Sequence, residues 1–389
     1  MVDFRLSQND REIIEQIRQE GLVTRKYARH YDDHEDELSP AKLPEADAFP
    51  LLLGRISSRP ADDTPAATFQ MLMSIARSWG DSVVLRQVSR GLGNAALLAA
   101  GTPEQKQRWG GTVLAMAITE PGCGSDTKAI TTTARREADS WVISGEKIFV
   151  TTGIRAQGVV VWATVDAKSG RAGIKSFVVM KGTPGFEITR KEKKLGIRSS
   201  DTAALTFTEC RVPLDHLLGG DESVPQQGSG GFRGVMKTFN MTRPGVAAGG
   251  IGKARASLDF AHEVLAAEGV RVDWDHGRSS RGAAAARLVQ MEADTEAATL
   301  AVLRAAWLAD VGEENNLEAS VAKSKGGEVS RTVPQGCIEV LGAMGASKDY
   351  LVEKWLRDGR ITDIYEGTGQ IQRLIIARAI FGYTSDELS

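Results

Sequence analysis

Apolar and polar positions fall into three textures along the 389 residues. In residues 1–112 apolar side chains recur at helical spacing on a charged background, with Ile13, Ile14, Ile17 and Leu22 first and a more apolar run over 68–75 next. The stretch 92–100, LGNAALLAA, ends at Gly101 and offers almost no polar face, which predicts a buried helix. Residues 55–65, rich in Ser, Pro and Asp, read as a loop.

From residue 113 the period shortens. Trp141-Val142-Ile143 and Lys147-Ile148-Phe149-Val150-Thr151, separated by Ser144-Gly145, predict a hairpin. Further β-branched and aromatic runs at 158–165, 174–180, 186–190 and 203–212 complete a set of short strands of the kind that build a small barrel or sandwich. The Gly- and Gln-rich tract 224–231 reads as a linker. The helical period then returns at 246–265, 284–308, 317–341 and 370–381, predicting a bundle. The pattern thus predicts an α+β multidomain chain: an N-terminal α-helical domain (1–112), a middle β-barrel domain (113–225) and a C-terminal four-helix bundle domain (226–389).

Composition narrows the function. A formal charge of −2 supplies no basic stripe for nucleic acid or for a membrane surface. No run approaches the roughly 18 apolar residues of a membrane span. Cys123, Cys210 and Cys337 are odd in number and far apart, which fits a reducing cytoplasm better than a disulfide framework. The N-terminus is charged and helix-periodic, so no secretory leader is expected in it. Five scattered histidines without an HExxH motif give a metal enzyme no support.

Two stretches carry candidate chemistry. In AITEPGCGSD (117–126) the Pro-Gly-x-Gly run allows tight turns and close backbone approach to a ligand, with hydroxyls from Thr119 and Ser125 at hand. In IYEGTGQIQRLIIAR (364–378) Glu366 precedes a glycine and a helix N-cap, Thr368. The helix that follows is predicted to put Ile371, Leu374 and Ile375 on one apolar face, and its N-terminus suits an anionic pyrophosphate.

At these residues the chain resembles the acyl-CoA dehydrogenase family, of the medium-chain-like type with its base in the C-terminal Tyr-Glu-Gly-Thr motif. Gly145-Glu146-Lys147, the KLGIR run at 194–198, Arg211-Val212-Pro213 and Thr242-Arg243-Pro244 support the match. The resemblance implies FAD as cofactor and Glu366 as the base that removes the α-proton of an acyl-CoA thioester. The β-hydrogen would leave as hydride to flavin N5, giving trans-2-enoyl-CoA, with electrons passed to an electron-transferring flavoprotein, as in fatty-acid β-oxidation. It assigns Met116, Ile118, Thr119, Phe149, Val150 and Thr151 to the flavin ring, with Thr368 and Gln370 also on the cofactor. Phe149 stands where the family usually has tryptophan. Ser125, Asn240, Thr242, Arg243, Tyr365, Gly367 and Arg378 are assigned to the acyl-CoA. The chemistry suits a carboxylate: hydrogen bonds to the thioester oxygen from a flavin hydroxyl and the Glu366 N–H stabilise the developing enolate, and desolvation strengthens the base.

The chain departs from the family where subunits meet. Arg271 and Trp274 keep the spacing of the family's Arg-x-x-Phe-Gly run, which reaches a neighbouring subunit's FAD, but Asp275 replaces its glycine. Glu339 stands where the family places a glutamine for the neighbour's adenine. A homotetramer, or a heterotetramer with a related chain, is therefore expected. The alternatives are a flavin monooxygenase on the same scaffold and an FAD-poor subunit of a heteromeric dehydrogenase. Retention of Glu366 argues against the monooxygenase.

Overall fold

The computed structural model describes residues 6–38, 65–81, 92–224, 232–270, 272, 282–384 and 387, with the backbone alone at 232–241. The chain forms two compact units, one of Met1–Leu85, Lys194–Ser199 and Asn240–Ser389, the other of Arg86–Lys193 and Ser200–Phe239. The linker expected over 224–231 lies outside the described residues except Val224.

The first unit is helical. Numbered along the chain, it contains α1 (Gln8–Thr24), α2 (Ala28–Asp33), α3 (Ala66–Trp79), most of α6 (Phe232–Ala267), α7 (Ala283–Asp310), α8 (Asn316–Leu341), α9 (Ala343–Ala346), α10 (Val352–Arg360) and α11 (Gly369–Phe381). The starts follow local chemistry. Ser7 caps α1 by accepting from Asp10 N at 3.0 Å. The Asp310 carboxylate caps α3 from outside, accepting from Ala67 N at 2.7 Å and Thr68 N at 2.9 Å. The core runs through Met71 and Ile75 of α3, Ala247, Ile251 and Leu258 of α6, Leu288, Met291 and Val302 of α7, and Val329, Val333 and Cys337 of α8. These residues recur at three- and four-residue steps, as a bundle requires.

Two features of this unit depart from the sequence reading. Helix α6 begins well before the predicted 246 and continues through buried Pro244, where packing overrides the lost hydrogen bond, as it does at buried Pro334 inside the helix predicted over 317–341. Helix α10 was not anticipated, because its buried side sets Lys354 and Asp358 among the apolar Val352 and Trp355 and so breaks the hydropathy pattern. Lys354 Nζ lies 2.6 Å from Asp358 and 3.1 Å from Asp81, and Asp358 Oδ1 accepts from Ile197 N at 2.5 Å. That network, with Glu35 accepting from Lys194 N at 2.6 Å, seats the 194–199 segment noted in the sequence.

The second unit combines α4 (Leu92–Ala100) and α5 (Pro103–Trp109) with β1 (Leu114–Ala117), β2 (Thr133–Arg136), β3 (Ser140–Thr151), β4 (Gly158–Thr164), β5 (Ile174–Met180), β6 (Phe186–Lys191) and β7 (Thr202–Pro213). Thr102 and Gln105 form a reciprocal capping box around Pro103, which starts α5. The strands make one seven-stranded sheet in the order β1-β4-β2-β3-β7-β6, with β5 on β4. Its core gathers Trp141, Ile143, Val159, Val161, Phe177, Val179, Leu205 and Phe207.

The hairpin expected at Ser144-Gly145 is not a hairpin. β3 runs unbroken from Ser140 to Thr151 and pairs along its length with β7, and Gly145, at φ 149°, takes up a register shift. A Cβ there would lie 2.7 Å from Thr132 Cα, so the glycine reflects close backbone approach rather than a turn. Helix α4 buries Ala96 and Leu97 as expected, but Leu98 is 64% exposed, so its burial is one-sided.

Candidate active site

The 3-10 turn Ile361–Asp363 leads from α10 into the motif at 364–368, and Thr368 caps α11 by accepting from Ile371 N at 3.3 Å. Between them Glu366 holds φ +56° and Gly367 φ +95°. A non-glycine residue in the left-handed region costs about 1–2 kcal/mol and persists only where its surroundings impose it. Here they are polar and specific. Gln372, fully buried one turn into α11, donates from Nε2 to Gly367 O at 3.2 Å and Glu366 O at 3.4 Å. Lys323 of α8, 0% exposed, donates from Nζ to Thr362 O at 2.6 Å and to Gly367 O at 3.2 Å.

The carboxylate of Glu366 accepts from Thr242 Oγ1 at 2.5 Å. Arg243, beside Thr242 on α6, is 3% exposed. Burial lowers its pKa and the Glu366 charge acts against that shift. Burial likewise pushes the Lys323 ammonium down to about 8, opposed by the charges of Glu366 and Asp363. Glu366 thus faces two buried cations and a hydroxyl.

Tyr365, Glu366 and Gly367 are half-buried and Gln370 is exposed at the head of α11. Arg378 is half-buried, and its Nε has no hydrogen-bond partner among the described residues. Asn240 lies on α6 with its side chain outside the described residues, as are Arg271 and Trp274 entirely. Glu339 is offset by a cation: Arg287 of α7 lies 3.6 Å from it.

The second unit carries the other assigned residues. Ile118 and Thr119 follow the end of β1, both half-buried with Met116, and Thr119 O accepts from Ile148 N at 2.9 Å. A register shift between Lys147 and Val150 turns Phe149 out of the sheet at φ +55° with 56% of its surface exposed, while Val150 points into the core and Thr151 is half-buried. An aromatic held outward on strained backbone, beside accessible strand edges, fits a planar ring system that stacks on it. Ser125 is exposed in the loop that follows.

That loop is anchored by a buried pair absent from the sequence reading of the site. Glu120, 4% exposed, lies 2.8 Å from Lys147 Nζ and accepts from Thr131 N at 2.7 Å, Thr131 Oγ1 at 2.7 Å and Thr132 N at 3.0 Å. Although burial raises its pKa, these donors and the ammonium hold the carboxyl at about 2. Lys147 Nζ also donates to Ile118 O at 2.9 Å, so one ion pair ties the 117–126 loop to β3.

The remaining titratable groups have ordinary explanations. His216 is buried with Nδ1 2.7 Å from Val178 O, edge-on to Trp109. The three cysteine thiols are buried, and burial raises each, Cys210 to about 11 and Cys337 to about 12. Among the described residues one group could bring metal ligands together: His30, His34 and Glu37, exposed, with His30 already paired to Glu37 at 3.0 Å. No described helix is long and apolar enough to cross a membrane.

Residues 115–210 match the acyl-CoA dehydrogenase middle domain and residues 229–381 the acyl-CoA dehydrogenase C-terminal domain. The chain belongs to the acyl-CoA dehydrogenase family and is an FAD-dependent oxidoreductase. It is 37% identical over 319 residues to the mitochondrial short-chain specific acyl-CoA dehydrogenase of Mus musculus, covering 79% of this chain and 73% of that protein. The butyryl-CoA dehydrogenase structure from Megasphaera elsdenii superposes with a TM-score of 0.81 at 27% identity, over 98% of this chain and 100% of that one. A chain of the structure described as the electron transferring flavoprotein of Acidaminococcus fermentans superposes with a TM-score of 0.77 at 28% identity, over 97% and 99%. The expected fold class, helical domains with a middle sheet domain, stands.

Proposed function

We propose that this acyl-CoA dehydrogenase acts on short straight-chain acyl-CoA thioesters, with Glu366 as the base that removes the α-proton. The observation that carries this reading is the built environment of Glu366: strained backbone, a hydroxyl on its carboxylate, and two buried cations behind it. A glutamate of solvated surface needs none of these. FAD, when bound, accepts the β-hydrogen as hydride. Phe149 and the strand residues Met116, Ile118, Thr119, Val150 and Thr151 would hold its ring, and the head of α11 at Thr368 and Gln370 would receive its phosphates. Glu366 takes the α-proton on its carboxylate, while its backbone N–H is the chain's donor to the thioester oxygen. Thr242, Arg243, Tyr365, Gly367 and Arg378 would line the acyl-CoA.

The short chain length rests on the relatives from Mus musculus and Megasphaera elsdenii, and the Acidaminococcus fermentans neighbour supports an electron-transferring flavoprotein as acceptor. Phe381, 68% exposed, stands with exposed Ile380 and Tyr383 at the end of α11, an apolar patch that a second copy of the chain would cover in a tetramer. Anaerobic titration of the yellow protein with acyl-CoAs of four to sixteen carbons tests the reading. Butyryl-CoA should bleach the flavin fastest, and Glu366→Gln should keep its FAD while losing reduction by at least the roughly 10²–10⁴-fold of general-base catalysis. Bleaching that persists in Glu366→Gln would assign the proton to another residue.

A further inference from the structure

Lys323 belongs to none of the motifs that identify the family chemistry. It occupies a core position of α8, in register with Ala319, Gly326, Ser330 and Val333, where an aliphatic residue is the ordinary choice. A buried ammonium is expensive unless its donors are used. The atoms it reaches are the carbonyls of Thr362 and Gly367, one on each side of Glu366. Those two bonds close the turn into a loop with fixed ends. Within it, Glu366 has no freedom to leave φ +56° without breaking a bond to Lys323 or to Gln372.

The charges around the ammonium come from three directions. Asp363 approaches from the 3-10 turn, Glu366 from the motif itself, and Arg243 from α6, the last opposing the other two. A lysine that served packing alone would need neither the paired carbonyls nor two facing carboxylates.

Building on the assignment of Glu366 as the base, we propose that Lys323 is its positioning residue: the ammonium ties the two ends of the base turn together and so sets where the Glu366 carboxylate points. Gln372 shares the backbone task but brings no charge. As pH rises through about 8 the Lys323 ammonium loses its proton, and the hold on the turn weakens from a charge-assisted to a neutral one.

Three proteins test this, each as FAD holoenzyme: wild type, Lys323→Met and Lys323→Arg. In stopped-flow reduction by butyryl-CoA, Lys323→Met should be slowed ten- to a hundredfold, while equilibrium affinity for the product crotonyl-CoA changes less than threefold. Wild type should lose rate above pH 8, and that limb should vanish in Lys323→Arg, whose charge persists at all pH values used. Hydrogen exchange of the peptide spanning 361–372, read without substrate, should quicken at least tenfold in Lys323→Met and return towards wild type in Lys323→Arg. A Lys323→Met protein that folds, reduces its flavin at the wild-type rate and keeps wild-type exchange in this peptide would overturn the proposal. So would a rate loss matched by equal loss of crotonyl-CoA or FAD binding with exchange unchanged. If wild type itself is reduced by no acyl-CoA, the reading of Glu366 fails, and the exchange measurement still decides whether Lys323 holds the turn.

Discussion

Thr242 donates its hydroxyl to the Glu366 carboxylate at 2.5 Å, joining α6 to a turn 124 residues further along the chain. A charge-assisted bond of this kind contributes about 1.5–3 kcal/mol. It leaves one carboxylate oxygen engaged and fixes the direction of the other. Thr242→Val removes the donor at nearly constant volume. Flavin reduction should fall roughly tenfold and stability by about 1–3 kcal/mol, as stopped-flow absorbance and calorimetry would show. A wild-type rate in the valine variant would mean that Gln372 and Lys323 orient the base unaided.

Gly367→Ala tests the turn from its other side. Gly367 sits at φ +95°, and a Cβ there would lie 2.4 Å from Gln372 Nε2. The methyl group must push away the amide that holds both Glu366 O and Gly367 O. Stability should drop by about 1–3 kcal/mol, and reduction by an acyl-CoA should slow further than stability alone explains. Retained activity with a lowered melting temperature would show that the turn tolerates rearrangement.

The Glu120–Lys147 pair makes a prediction for the second unit. Lys147→Met leaves a buried carboxylate with neutral donors from Thr131, Thr132 and the Cys123 thiol and no counter-ion, a change that costs about 3–5 kcal/mol. Acid attacks the same pair. Glu120 is held at about 2 against a reference of 4.5, so its contribution is complete above pH 4.5 and lost as pH falls towards 2. By pH 3 the loss should reach roughly 2 kcal/mol, with the Lys147 ammonium still charged. Calorimetry at pH 5 and pH 3 should show a steeper decline in wild type than in Glu120→Gln; equal slopes would place the acid sensitivity elsewhere.

Phe149 is exposed and packs on little, so Phe149→Ala should leave the melting temperature of the apoprotein within a few degrees of wild type. FAD retention should weaken about three- to tenfold if the ring stacks on the cofactor, and Phe149→Trp should restore it. Equilibrium dialysis against FAD gives the ratio. Unchanged affinity in the alanine variant would remove Phe149 from the flavin site.

Much of this was legible in the sequence because it is periodic or stereochemical. The core positions of α6, α7 and α8 announce themselves by helical spacing, and Thr368 by its cap chemistry. Glu366 and Gly367 stood out as a motif, and the structure adds the strain that the motif conceals. The failures have physical causes too. Ser144-Gly145 has the composition of a turn, yet Gly145 is there because Thr132 passes too close for a side chain. Helix α10 and the roles of Glu120, Lys147 and Lys323 rest on buried charge, which a hydropathy pattern counts as surface. For Lys323 a signal did exist, a lysine in register with an apolar stripe. For Glu120 only the three-dimensional contact with Lys147 reveals it.

Cys123 lies inside the 117–126 loop, and its thiol is raised by burial and by the Glu120 charge next to it. Thiols are attacked by peroxide as thiolates, so a protonated, buried sulfur is a poor target. Reduced flavins that meet oxygen generate peroxide at close range. The carboxylate that anchors the loop to β3 therefore also shields its one oxidisable side chain, and the protein should survive its own stray electron leakage without sulfenic acid forming at Cys123.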